Sequence, residues 1–457
     1  MQSRWFDPDR PQWTRVLSMS LALLFAILVR FVLPSVGLSG GALLAANAFQ
    51  WVDWMAMESL FLLKNRRGIS SAFNSSYNKE YGKPFAVGET VRVKKPQRYT
   101  IRNGLGYSAQ PLNRIFTTIT MLEPFGIDFE YDSFEHALRM ERGEAQISKE
   151  YLAPAMSQIG QEIDSRCALF AYQNANNIVG SLGTDPTTFD LTSAAARQRL
   201  VELAGASDGT ERDIFVPPSV MRAVKGSSLT LFNPPTDISK QFRTGIIGYS
   251  DGFDWSESMS LYRHTAGTWA GAVTVTTAPV DGATTLAVTC TTGDTFNVGD
   301  VFSVINSNQV NPMTRRMLTT TAKPFVITVA AVGVANAATL TISPAIYGPG
   351  SQYQNVDAMP VAGAALTLFP GTSSPNGKSG ANGLWMGRNA FALVGVALDK
   401  PESAEVAWTR QDPETGIAIS FIRAFDPIQR KWINRFDCAI GLGVLYGDEE
   451  AGRILAA

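Results

Sequence analysis

Leu152, Met156, Ile159, Ile163, Cys167 and Phe170 follow one another at steps of four, three, four, four and three, the spacing of a single stripe along an α-helix. Gln158, Gln161, Glu162, Asp164 and Arg166 fall between them and are assigned to the other faces. The pattern predicts a helix over 148–175, with Ser148 as N-cap, Glu150 in the first turn where the helix dipole favours an acid, and Pro154 as a candidate kink. At ~1.5 Å per residue such a helix is about 40 Å long. A narrow apolar stripe of that length requires a sheet or a partner laid along it, so the helix is read as the spine of an α+β body.

Strand patterns flank it on both sides. Glu89–Lys94 alternates, 97–114 carries the Gly104, Gly106 and Pro111 of a long hairpin tip, and Ile115–Leu122 and Phe125–Tyr131 return as strands. A two-stranded ribbon with few large apolar residues at its tip is marginal alone in water, so this one is expected to lie on a neighbour. Ahead of it, Phe49–Leu63 is amphipathic and reads as an arm, and Asn65–Gly82 is polar and loop-like.

Beyond the spine, a helix is expected over Leu191–Ala206, a strand at Asp213–Val216, a short helix from Pro217 to Val224, and strand and turn at Gly245–Gly252, an α/β alternation. Between Thr265 and Phe369 the chain is dense in Thr, Val and Ala. Val273–Thr277, Thr284–Cys290, Val301–Ile305, Pro324–Val332, Thr339–Ile342 and Ala365–Phe369 read as strands, with turns at Asp281-Gly282 and Gly299-Asp300, which suggests a small inserted barrel. Gly371–Asn382 reads as a linker. Ala390–Ala397, Ala404–Arg410, Ile417–Phe425 and Trp432–Ile440 close the chain as strands, the last with Trp432, Phe436, Cys438 and Ile440 on one face and Arg435 and Asp437 on the other.

The 457 residues allow two to four domains. A net charge of −1 gives no basis for gripping nucleic acid by phosphate neutralisation. Cys167, Cys290 and Cys438 are far apart and read as reduced core thiols, and His136 and His264 are too few for a histidine metal site or proton relay. Val16–Val29 is an unbroken apolar run after Arg4, Arg10 and Arg15. It reads as a signal or anchor with Ala46-Asn47-Ala48 as cleavage site, as a region upstream of a true start at Leu44, or as a buried helix.

Catalytic motifs fail in turn. Gly371–Ser379 has five residues where a phosphate loop needs four, and Gly441–Gly447 places its third glycine one position late with no βαβ unit after it. No G-x-S-x-G, H-E-x-x-H or C-x-x-C occurs. His264 reads as a structural or surface residue and His136 as exposed. No catalytic residue, cofactor or metal is expected.

The order of arm, long hairpin, spine helix, α/β domain, inserted barrel and closing strands resembles the major capsid protein of tailed double-stranded-DNA bacteriophages, in the short-tailed-phage coat protein branch with an inserted domain. The likeness is carried by Phe296–Ile305 with Val310–Thr314 and Pro324–Thr328, by Leu340–Ile346, and by the ending from Phe421 to Leu455. It covers 44–457; residues 1–43 match nothing expected of a coat protein. The resemblance implies an N-terminal arm (44–87), an extended hairpin loop (88–130), a peripheral domain (131–186 and 404–457), an axial domain (187–264 and 373–403) and an inserted β-barrel (265–372). It implies a non-enzymatic protein that self-assembles, as pentamers and hexamers, into an icosahedral shell, with a scaffolding protein and a portal as further partners. DNA would be enclosed without sequence-specific binding, and membrane contact is not expected. Location would be the virion, and the host cytoplasm during assembly. The alternative, from the residues alone, is an exported or membrane-anchored β-rich surface or adhesion protein that uses 16–48 for targeting.

Overall fold

The computed structural model describes residues 57–63, 68–77, 90–94, 98–132 (without 103, 108 and 111–115), 152–186 (without 184), 195, 196, 198, 212–228, 248–399 (without 251, 270, 271, 318, 319 and 369–376) and 406–456 (without 413 and 414). The chain divides into two compact units, Met1–Met57 and Glu58–Ala457, and the architecture below is that of the second. The apolar run, the expected cleavage site and the expected start at Leu44 lie outside the described residues. No helix among the described residues is long and apolar enough to cross a membrane.

The spine helix runs from Ala153 to Asn174. Leu152, Met156, Ile159, Ile163 and Cys167 are all buried, and Phe170 meets the Phe391 ring edge-on at 6.0 Å. The buried face is broader than the stripe, because Ala155, Ala168 and Ala171 are buried too and let neighbours approach. Pro154 occupies the first turn, where the N–H it lacks has no helical partner to lose. Ser148 and Glu150 lie outside the described residues. Asp164 departs from expectation: it is buried, and its carboxylate accepts the Gly68 amide at 2.7 Å and the Ser70 amide at 2.9 Å. Those amides belong to Ile69–Ala72, a short 3-10 turn whose Ile69, Ser70 and Ala72 are buried. The stretch expected as a polar loop is therefore packed against the helix, held by a charge whose desolvation is offset by two donors. Before it, residues 57–63 are helical, with Leu63 buried and Met57 and Phe61 exposed.

A seven-stranded antiparallel sheet is organised around the strand Lys431–Val444. Its first half lies between Phe125–Asp132 and Ala418–Asp426; its second half pairs with Phe391–Val396 and Phe116–Met121. Thr90–Lys94 pairs with Phe116–Met121 at one edge, and Val406–Gln411 with Ala418–Asp426 at the other. The base of the long hairpin is therefore built into its own subunit's sheet. Phe436, Cys438 and Ile440 are buried as expected, while Arg435 is exposed and its Nε donates to Asp437 on the same face at 2.7 Å. The spine helix packs against this long strand.

A second sheet runs Asn177–Gly180, Ala451–Leu455, Ser379–Gly387, Arg212–Val216, Phe253–Glu257 and Gly248–Ser250, with Arg263–Thr265 also pairing on Ser379–Gly387. It is mixed: Ala451–Leu455 is parallel to Asn177–Gly180, and Arg212–Val216 to Phe253–Glu257. The helix Pro218–Ser228 covers it with Val220, Met221 and Val224, which join Ile214, Phe253, Trp255 and Trp385 in one core. Of the helix expected at 191–206, only 195, 196 and 198 are described, and they are helical.

Two expectations fail at this sheet. Ser379–Asn382, read as linker, opens its long strand; an added Cβ on Gly380 would lie 2.1 Å from the Ala456 carbonyl oxygen. Small residues stand there because backbones approach closely. The closing segment 404–457 also divides: after Lys431–Val444 the chain turns through the short helix Gly447–Glu450 and enters the second sheet as Ala451–Leu455.

The inserted segment forms a six-stranded antiparallel barrel, ordered Leu366–Leu368, Val301–Asn308, Ala322–Val329, Ala337–Ile346, Ala283–Thr289 and Thr274–Val275. It closes where Thr274 bridges Ala365, with Leu366 N donating to Val273 O at 2.8 Å. Val275, Leu286, Val288, Phe302, Val304, Phe325, Ile327, Leu340 and Ile342 fill it. Both expected turns hold a glycine at positive φ, Gly282 at 81° and Gly299 at 94°.

Candidate functional site

Two places carry chemistry out of proportion to their size. The first is the hairpin tip. Tyr99, Ile101, Leu105 and Tyr107 are 64%, 90%, 99% and 92% exposed, so the expectation of a tip poor in large apolar groups is corrected. In an extended chain alternate side chains point to opposite sides, and here the polar set makes the hydrogen bonds while Thr100 and Arg102 remain exposed. Arg98 pairs with Glu449, Thr100 meets the barrel residue Arg315 at 2.8 Å, and Arg102 donates to the carbonyls of Gly104 and Gly106 at 2.5 Å each. Gln110 completes the tie: its Oε1 accepts from the Thr100 amide at 2.7 Å and its Nε2 donates to the Thr100 carbonyl. Alternation over 98–102 (R-Y-T-I-R) was the available signal.

The second is a buried polar junction where helix, barrel and second sheet meet. Arg453, on the last strand, is 1% exposed; its Nε donates to Ala175 O at 2.8 Å, beyond the helix end, and its Nη1 to Gly299 O at 2.7 Å, in a barrel turn. The guanidinium lies 4.2 Å from the centre of the Tyr172 ring. Burial pushes its pKa down, opposed by Tyr172 and Asp300, and burial pushes the Tyr172 phenol well up. Asp300 accepts from the amides of Gly267 at 3.1 Å and Asn297 at 2.8 Å and lies 2.8 Å from His264 Nε2. His264 is thus buried, with a ring nitrogen held against Asp300.

Cys167, Cys290 and Cys438 are buried thiols outside any disulfide, and burial pushes the Cys438 thiol up to about 12, away from thiolate chemistry. Among the described residues no cluster of three or more His, Cys, Asp or Glu side chains could hold a metal. Gly441 and Gly443 lie within the long strand and Gly447 opens a short helix, so no dinucleotide turn forms. His136 and residues 371–376 of the rejected phosphate loop lie outside the described residues.

Residues 123–446, more than two thirds of the chain, match the family model described as "P22 coat protein - gene protein 5". No curated protein matches the sequence. Among solved structures, one titled for Mycobacterium phage Che8 is 13% identical, covering 85% of this chain and 90% of its own, with a TM-score of 0.44. The capsid of Helicobacter pylori bacteriophage KHP30 is 14% identical over 85% and 89%, TM-score 0.37. That of Ralstonia phage GP4 is 7% identical over 85% and 87%, TM-score 0.40. The family match is the one that bears on function.

Proposed function

The chain belongs to the P22 coat protein family and is a major capsid protein of the virion shell, and from that premise we propose that its hairpin tip is the surface by which one copy holds the next. The observation that carries this reading is the tip itself: four large apolar side chains faced outward on a loop tied down from behind. Burying a large apolar side chain is worth about 1.5–3 kcal/mol, so four give roughly 6–12 kcal/mol. Association consumes about 4–15 kcal/mol of translational and rotational freedom. One tip contact is then near balance, and a closed shell gains by repeating it under symmetry.

The sheet around Lys431–Val444 with the spine helix is read as the peripheral domain, the second sheet as the axial domain at capsomer centres, and 265–372 as the insertion domain. The last strand ties the peripheral chain to the axial sheet. Pentamers and hexamers would form in the host cytoplasm with a scaffolding protein and a portal, and DNA would be enclosed without sequence-specific contact, consistent with a net charge of −1. No catalytic step is assigned to any residue. No observation favours the exported-adhesion alternative.

The test is a variant with serine at 99, 101, 105 and 107, expressed with a scaffolding protein and examined by electron microscopy. It should remain a folded subunit and form no shells. Normal shells from the variant would overturn the role of the tip.

A further inference from the structure

Two alternate residues of the tip, Arg98 and Thr100, are fastened to two remote parts of their own subunit. Arg98 reaches Glu449 in the short helix Gly447–Glu450, and two residues on, Thr100 Oγ1 receives Arg315 Nη1 at 2.8 Å. Arg315 lies in the barrel loop 309–321, between the strands Val301–Asn308 and Ala322–Val329, 215 positions along the chain from Thr100. That loop is itself braced. Asn311 Oδ1 accepts from the amides of Met313 at 2.9 Å and Thr314 at 3.0 Å, and the Arg315 amide donates to Asn311 O at 2.8 Å. Arg315 stands at φ 54°, in the left-handed region that non-glycine residues seldom occupy. Its second guanidinium nitrogen, Nη2, donates to Gln352 O at 3.1 Å, in another loop of the barrel. A planar guanidinium gripping a fixed carbonyl with one arm and a hydroxyl with the other fixes a direction, which a lysine cannot do.

We propose that Arg315 is a positioning residue through which the inserted barrel sets the angle at which its own subunit's hairpin presents Tyr99, Ile101, Leu105 and Tyr107 to the next copy. The insertion thereby acts on assembly geometry as well as on subunit folding. The presenting role rests on the capsid reading above; the latch between barrel and hairpin does not.

The test uses the full chain, first unassembled and then with a scaffolding protein. Exposed charge-assisted contacts are worth up to about 1 kcal/mol, so amide exchange over 98–110 should quicken about two- to fivefold in R315A. T100A should do the same, the double variant should be no faster than either single one, and R315K should fall between R315A and the parent. Exchange over the barrel strands 322–346 should not change, which separates loss of the latch from unfolding of the barrel. Unchanged exchange over 98–110, or effects of the two substitutions that add, would overturn the latch. In assembly, R315A should need a higher subunit concentration for shells or give misshapen ones; shells equal to the parent's in yield and shape would overturn the presenting role. A parent chain that forms no shells would sink the capsid reading, while the exchange result would still decide the latch.

Discussion

Replacing Arg453 with alanine probes how much of the junction between helix, barrel and second sheet hangs on one guanidinium. The side chain is 1% exposed and donates to Ala175 O at 2.8 Å and Gly299 O at 2.7 Å, with the Tyr172 ring 4.2 Å away. Hydrogen bonds to charged groups are worth about 1.5–3 kcal/mol each, and a desolvated cation–π contact about 2 kcal/mol, a gross of roughly 5–8 kcal/mol. Against it stands relief of the burial that already holds the Arg453 pKa down. Removing one partner of a buried charged set costs about 3–5 kcal/mol net, and that is the loss expected for R453A. R453M keeps much of the packing volume and leaves no charge to desolvate, so its loss should be smaller by about 1–2 kcal/mol. The assay is urea unfolding of the unassembled subunit with amide exchange read separately in the barrel strands and the second sheet. Both should loosen together, because Gly299 belongs to one and Arg453 to the other. A loss under about 1 kcal/mol, or loosening confined to one body, would refute the junction's role.

Asp164→Ala leaves the Gly68 and Ser70 amides without their acceptor, at about 1–3 kcal/mol for each buried donor; protease cleavage within 68–77 should accelerate before global unfolding, and an unchanged cleavage rate would contradict the tie. Gly452→Ala puts a Cβ 2.2 Å from Trp385 Cζ2 and 2.9 Å from Asn177 O, and overpacking of that kind costs about 1–3 kcal/mol; an unchanged urea midpoint would contradict the close approach. For Glu449, burial and then Asp448 raise the carboxyl above its ordinary 4.5, with Arg98 pulling it back. The folded chain thus takes up this proton at higher pH than the unfolded one, so acidification through that window favours the fold at this group while discharging the partner of Arg98. Exchange over 98–102, corrected for intrinsic rates, should rise as pH falls toward 4.5 from above, and E449Q should show that looseness at neutral pH; a flat profile in the parent would reject the tie.

Patterns that repeat within a few residues were legible from the chain alone. The stripe from Leu152 to Phe170 specified a helix with one buried side, since helical period and burial are properties of neighbouring residues. The barrel was legible for the same reason: strand alternation and turns at Gly282 and Gly299 are local. What could not be read was where a polar or small residue would find its partner. Asp164 could be read only as an acid off the apolar stripe, and a segment about 95 positions away brings it two amides. Ser379–Asn382 has linker composition, yet it is a strand with Gly380 and Asn382 buried, and Ala456 lies against Gly380. The same non-local pairing carries the last strand into the second sheet and brings Arg453 between Ala175 and Gly299, more than 150 positions from either. Periodicity is a local property and is written in order along the chain; the satisfaction of a buried charge or a close backbone contact depends on distant segments that meet only once the chain has folded.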